Sequence, residues 1–169
     1  MPVIANTTII SNFAAIGWIE LLRTLWNILY IPEQVYDEIQ AGLLLGYDFY
    51  ADIHSLIYPF SENGWLYLTS LHSSDEFRLF GELTATLHSG EAACLSIAAH
   101  RQWTFLSDDK AARRAGASLN IPVSGTLGVL LALVRRGQLA LTEADTMLMS
   151  MVQTGYFSPV FSLREILSR

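Results

Sequence analysis

The sequence predicts a three-layer α/β/α sandwich around a parallel sheet of four to five strands, and two observations lead there. Short apolar, partly β-branched runs alternate with longer segments of helical period along most of the 169 residues. That alternation is the signature of βαβ units, whose crossover helices cover a parallel sheet on both faces. The length suits one compact domain spanning residues 1–169, and no repeat, low-complexity stretch or linker divides it.

The elements follow in order. Pro2-Val3-Ile4-Ala5 reads as a buried strand, and Asn6-Thr7-Thr8 can cap a helix running from Ile9 to about Ile16. Gly17 interrupts that pattern and Trp18 to Trp26 resumes it. Asn27 to Ile31 is a second strand. Pro32 then suits a helix first turn, with Glu33 and Asp37 supplying early negative charge. Ser61-Glu62-Asn63-Gly64 is turn-like, and a third strand is expected at Trp65 to Leu68. Ser89-Gly90-Glu91 opens a helix to about Arg101. Gln102 to Leu106 and Ile121 to Val123 are further strands, each followed by a helix, Asp108 to Leu119 and Gly125 to Arg136. Thr142 is placed to cap a helix to about Gln153, and the tail holds an extended piece and a last helix.

Bulk properties exclude several function classes. A net charge of −6 argues against a general nucleic-acid coat protein. Six of the ten basic residues nevertheless fall between Arg101 and Arg136 (Arg101, Lys110, Arg113, Arg114, Arg135 and Arg136). The single Cys94 permits no intrachain disulfide and fits a reducing compartment. Met1 to Asn6 lacks a basic leader, and the apolar run Leu127 to Val134 is far short of the ~20 residues that span a bilayer. A cytoplasmic protein with no membrane association is expected.

Chemistry is expected where scarce acids meet apolar elements, since only 15% of the chain is charged. Glu91 shares a helix face with Leu95 and Ala98, so its carboxylate falls on the side that buries. It either meets a cation or satisfies the helix's first turn. Glu38 borders the apolar face of Val35, Tyr36, Ile39 and Leu43, whereas Asp37 points away. Asp108 and Asp109 follow a strand directly, at the edge where open α/β sheets bind ligands. Their alternative role is ordinary: a helix cap, and an Asp109–Arg113 pair at i+4. Asn6 ends the first strand in the same way, with helix capping as its alternative. Carboxylates converging at one sheet edge suit a hard divalent cation.

Several blocks taken together resemble the PIN-domain nucleases, and the VapC-like group most closely. They are Val3-Ile-Ala-Asn-Thr-Thr-Ile-Ile, Ile31-Pro-Glu-Gln-Val-Tyr-Asp-Glu-Ile, Leu87-His-Ser-Gly-Glu-Ala, Phe105-Leu-Ser-Asp-Asp-Lys-Ala-Ala-Arg-Arg and Ile121-Pro-Val-Ser-Gly-Thr-Leu-Gly-Val-Leu-Leu, in the family's order. The resemblance implies an endoribonuclease dependent on Mg2+ or Mn2+, the toxin of a toxin–antitoxin pair. It implies metal ligands at Glu38, Glu91, Asp108 and Asp109, with Asn6 in the place of the family's first aspartate. Thr8 and Ser107 match hydroxyl-bearing positions that order the site. Lys110, Arg113 and Arg114 are candidates to hold the RNA backbone, or else a solvated helix face. A small antitoxin and a second copy of the chain are the expected protein partners. The neutral Asn6 leaves open a silent PIN module that only binds protein or RNA.

Other features carry less. Gly125-Thr126-Leu127-Gly128 opens a helix that could receive a phosphate, although it lacks the lysine and spacing of a P-loop. His54, His72, His88 and His100 have no zinc spacing, with His88 expected at the surface, and Cys94 is expected in the core. The aromatic stretch from Tyr47 to Tyr67 suits core or a protein interface better than base stacking.

Overall fold

A computed structural model describes Met1–Arg169 and contains one six-stranded sheet, parallel throughout. The strands are β1 (Val3–Ala5), β2 (Leu29–Pro32), β3 (Ile57–Tyr58), β4 (Leu66–Thr69), β5 (Thr104–Leu106) and β6 (Val123–Ser124), in the order β3-β4-β2-β1-β5-β6. The expected four to five strands become six through the addition of β3. Two residues at a sheet edge are too short to show any period.

The helices are α1 (Thr7–Ala15), α2 (Glu20–Leu25), α3 (Glu33–Leu44), α4 (Ser74–Leu83), α5 (Ser89–Arg101), α6 (Lys110–Ser118), α7 (Thr126–Arg135), α8 (Leu141–Gln153) and α9 (Arg164–Leu167). Helix α5 lies over β1, β2 and β5, flanked by α3, α4 and α6. A second group packs through the α1–α8, α2–α7 and α7–α8 pairs. One hydrophobic cluster runs through both groups and the sheet, from Ile4 and Phe13 to Leu95, Phe105, Leu130 and Leu148. No helix is long and apolar enough to cross a membrane.

Three local expectations are corrected. Pro32 ends β2 and precedes α3, so the helix begins at Glu33 rather than at the proline. Helix α8 begins at Leu141 after Ala140, and the side chain of Glu143 accepts from the Ala140 N–H (2.7 Å), so Thr142 is not the cap. Helix α4 is an addition to the expected elements. Its one fully buried residue is Glu76, and Phe80 and Leu83 on the same face pack against the core only partly buried.

Strand order fixes where a site can form. From β1 the sheet extends through β2 to β4 and β3 on one side, and through β5 to β6 on the other. The chain therefore reverses direction across the sheet at the β1–β5 boundary, and such switch points open a crevice beyond the strands' carboxyl ends. Register pairs Ala5 with Leu106, and the Asn6 N–H donates to the Leu106 carbonyl (3.1 Å). Asn6 and the segment Ser107-Asp108-Asp109 thus leave the sheet side by side.

Candidate active site

Asn6 occupies the floor of this crevice at 2% exposure. It precedes α1 without capping it; instead its Nδ2 donates to Ser107 Oγ (2.8 Å) and its Oδ1 accepts from the Thr8 hydroxyl (2.7 Å). The fully buried Ser107 also accepts from the Asp109 N–H (3.1 Å), and Thr8 Oγ accepts from the Asp108 N–H (3.2 Å). Two hydroxyls therefore lock the ends of β1 and β5 together through Asn6.

Glu38 reaches the same region from α3. Its Oε2 accepts from the Thr7 hydroxyl and its Oε1 from the Gly90 N–H at the start of α5 (3.0 Å). Glycine leaves room for this approach, since a Cβ at position 90 would lie 2.5 Å from Glu38 Oε1 and displace that carboxylate. Glu91, one residue on, is 8% exposed and turns Oε2 back to the His88 N–H (3.2 Å). Burial pushes the Glu91 carboxyl above the usual range, and the charges of Asp109 and Glu38 push it further. The buried Cys94 thiol is raised by burial and then by Glu38 and Glu91. It donates weakly to the Ala5 carbonyl (3.4 Å) and serves the core.

The two aspartates diverge. Neighbouring residues on extended backbone point to opposite sides, and Asp109 is extended at φ −68°, ψ 126°. Its carboxylate acts on Glu91 while Oδ1 caps α6 through the Ala112 N–H (2.8 Å). The alternative Asp109–Arg113 pair does not form; Arg113 Nη1 donates to the Ser107 carbonyl instead (2.9 Å). Asp108 faces α7. Its Oδ1 accepts from the Thr126 N–H (2.8 Å), and its Oδ2 from the Thr126 hydroxyl (2.5 Å) and Asn12 Nδ2 (3.0 Å). Both oxygens are committed to joining α1, β5 and α7.

The structure places Asp109 and Glu38 near enough for their charges to act on Glu91, while Asp108 bonds toward α1 and α7. It adds Thr7, Gly90, Asn12 and Thr126, which act across long sequence separations. Of these only Gly90 had a readable signal, a glycine beside a buried acid at a helix start. Lys110, Arg113 and Arg114 are exposed on α6, and His88 is exposed at the mouth.

The donors are all oxygens, as a hard cation demands, and a positive ion would relieve the crowding that pushes Glu91 up. No three His, Cys, Asp or Glu side chains are close enough to close on an ion as they stand. The set fits a divalent cation in chemistry, with Asn6 leaving it one charge poorer than four carboxylates. The model of the PIN-domain family matches residues 2–169. The chain belongs to the PIN-domain family. Neither curated proteins nor solved structures give a match. PIN domains are generally nucleases that use divalent metals.

Proposed function

We propose that this PIN domain is a metal-dependent endoribonuclease that hydrolyses RNA phosphodiester bonds. The observation that carries the reading is the buried Glu91 carboxyl, pushed up by burial and by the charges of Asp109 and Glu38, at the switch point of the sheet. Glu38, Glu91 and Asp109 would hold Mg2+ or Mn2+, with Asn6 beside them as a neutral oxygen. When bound, such an ion lowers the pKa of water and stabilises charge on the phosphate.

The chain's own part is positioning and proton handling. Thr7 and the Gly90 amide orient Glu38. The Ala112 amide fixes Asp109 through Oδ1, and the His88 amide holds Glu91 through Oε2. Glu91 Oε1 has no protein hydrogen-bond donor, which suits it to accept a proton from the attacking water. Lys110, Arg113 and Arg114 supply positive charge at the rim for the RNA backbone.

Incubating single-stranded RNA with the protein and Mn2+ tests the proposal. Cleavage that disappears in Glu91→Ala supports it, and undiminished cleavage in that variant removes Glu91 from the mechanism. We further assign the chain as the toxin of a toxin–antitoxin pair, forming a homodimer capped by a small antitoxin. Exposed Leu44, Leu45, Tyr47 and Phe60 leave apolar surface for such partners. Asn6 favours a second reading, a catalytically weak or silent PIN module. A large gain of activity in Asn6→Asp would identify a degenerate site of that kind.

A further inference from the structure

A second cleft opens on the far side of the Asp108–Asp109 pair, with a volume of about 430 Å3. This lies within the ~300–1,000 Å3 typical of small-ligand sites. Its walls come from three places: Lys110 and Arg113 on α6, the Ser124-Gly125 turn before α7, and Tyr156 and Phe157 after α8. Phe157 stands 86% exposed at the rim, which folding alone does not require of so large an apolar ring. Asp108 lies at the base, its oxygens held by Thr126 and Asn12, and its charge, which acts on Tyr156, is opposed by the two cations Lys110 and Arg113.

The cleft adjoins the acidic crevice. The guanidinium of Arg113 donates to the Ser107 carbonyl, and Ser107 Oγ holds Asn6. The aromatic wall is anchored, because Asp145 accepts from the Ser162 hydroxyl (2.8 Å) and the Leu163 N–H (2.7 Å) and so ties the tail to α8. The other large cavity, between α1 and α8, is lined by Glu143 and has no basic residue. Cations beside an exposed ring suit a nucleotide: the ring stacks on a base and the cations take its phosphate.

We infer that this cleft is a subsite for one unpaired nucleotide of a single-stranded RNA, next to the phosphodiester held at the acidic crevice. The inference rests on the ribonuclease reading, and the test separates the two. Binding of a fluorescent single-stranded RNA oligonucleotide is measured by anisotropy in EDTA, so that no cleavage intervenes. Phe157→Ala weakens binding about tenfold, the loss of one stacked base. Lys110→Ala lowers the salt slope by about one. Phe161→Ala, which removes a ring 85% exposed elsewhere, leaves affinity unchanged. Equal binding by wild type and Phe157→Ala overturns the subsite while the ribonuclease reading stands. No RNA binding by the wild type in EDTA overturns the subsite, and the ribonuclease reading is then decided separately by Mn2+-dependent cleavage. If AMP alone competes at the RNA's own affinity, the cleft takes free nucleotides and the RNA subsite is wrong.

Discussion

Replacing Asn6 by aspartate adds a fourth carboxylate to the crevice at a position with 2% exposure. The hydrogen bonds can adapt. Thr8 still donates to one oxygen, and the Ser107 hydroxyl can turn its proton toward the other in place of the lost Nδ2 donor. Charge cannot adapt in the same way, because Glu91 is already raised by burial and by Asp109 and Glu38. An uncompensated buried charge costs about 3 kcal/mol. At roughly 2–4 °C per kcal/mol for a domain of this size, metal-free Asn6→Asp melts about 6–12 °C below wild type at pH 8. The deficit shrinks as pH falls, since the introduced carboxyl, buried among like charges, has a raised pKa and takes up a proton. Mn2+ narrows the gap: at 100 times the variant's Kd it returns about 2.7 kcal/mol, while wild type, one charge poorer at the site, gains less. Thermal melts in EDTA and in Mn2+, at pH 8 and at pH 5.5, give all four values. A melting point indifferent to metal and to pH would show that position 6 does not face a shared acidic hollow.

Other outcomes follow from the same geometry. Gly90→Ala puts a Cβ 2.5 Å from Glu38 Oε1 and shifts that carboxylate away from the Gly90 amide; Mn2+ affinity measured by calorimetry falls. Glu91→Gln removes a buried charge crowded by Asp109 and Glu38, so in EDTA the variant melts above wild type at pH 8 while losing RNA cleavage. Glu76 gives the acid limb of stability. Burial alone would raise its carboxyl, but Arg101 (Nε to Oε1, 2.7 Å) and the His72 and Ser73 amides hold it at about 2. A folded-state pKa below the unfolded value contributes stability that is complete above about 4.5 and lost as pH falls toward about 2. Denaturant titrations should show Glu76→Gln about 3 kcal/mol less stable than wild type at pH 7, with the gap closing across that window.

Much of this is readable from residue pattern, and the failures have physical causes. Helix α5 is expected over Ser89 to Arg101 and forms there, because glycine and serine punctuate its start and its apolar residues are buried throughout. Helix α4 is only weakly marked by hydrophobic periodicity, because its inward side begins with the acid of the Glu76–Arg101 ion pair and continues with only partly buried Phe80 and Leu83. The Ser73-to-Glu76 capping box is the signal available for it. The separation of Asp108 from Asp109 follows from extended backbone, so sequence alternation could have assigned them different roles. The partners that take up Asp108, Asn12 and Thr126, lie 96 and 18 residues away in the chain, and nothing local announces them.

The most direct test of the account is Mn2+ calorimetry on three proteins: wild type, Asp109→Asn and Asp108→Asn. Asparagine retains the carbonyl oxygen that caps α6, so folding is preserved at position 109. Wild type should bind one saturable ion per chain, retained in Asp108→Asn and lost in Asp109→Asn. The reverse dependence, or no saturable binding in wild type, would contradict it.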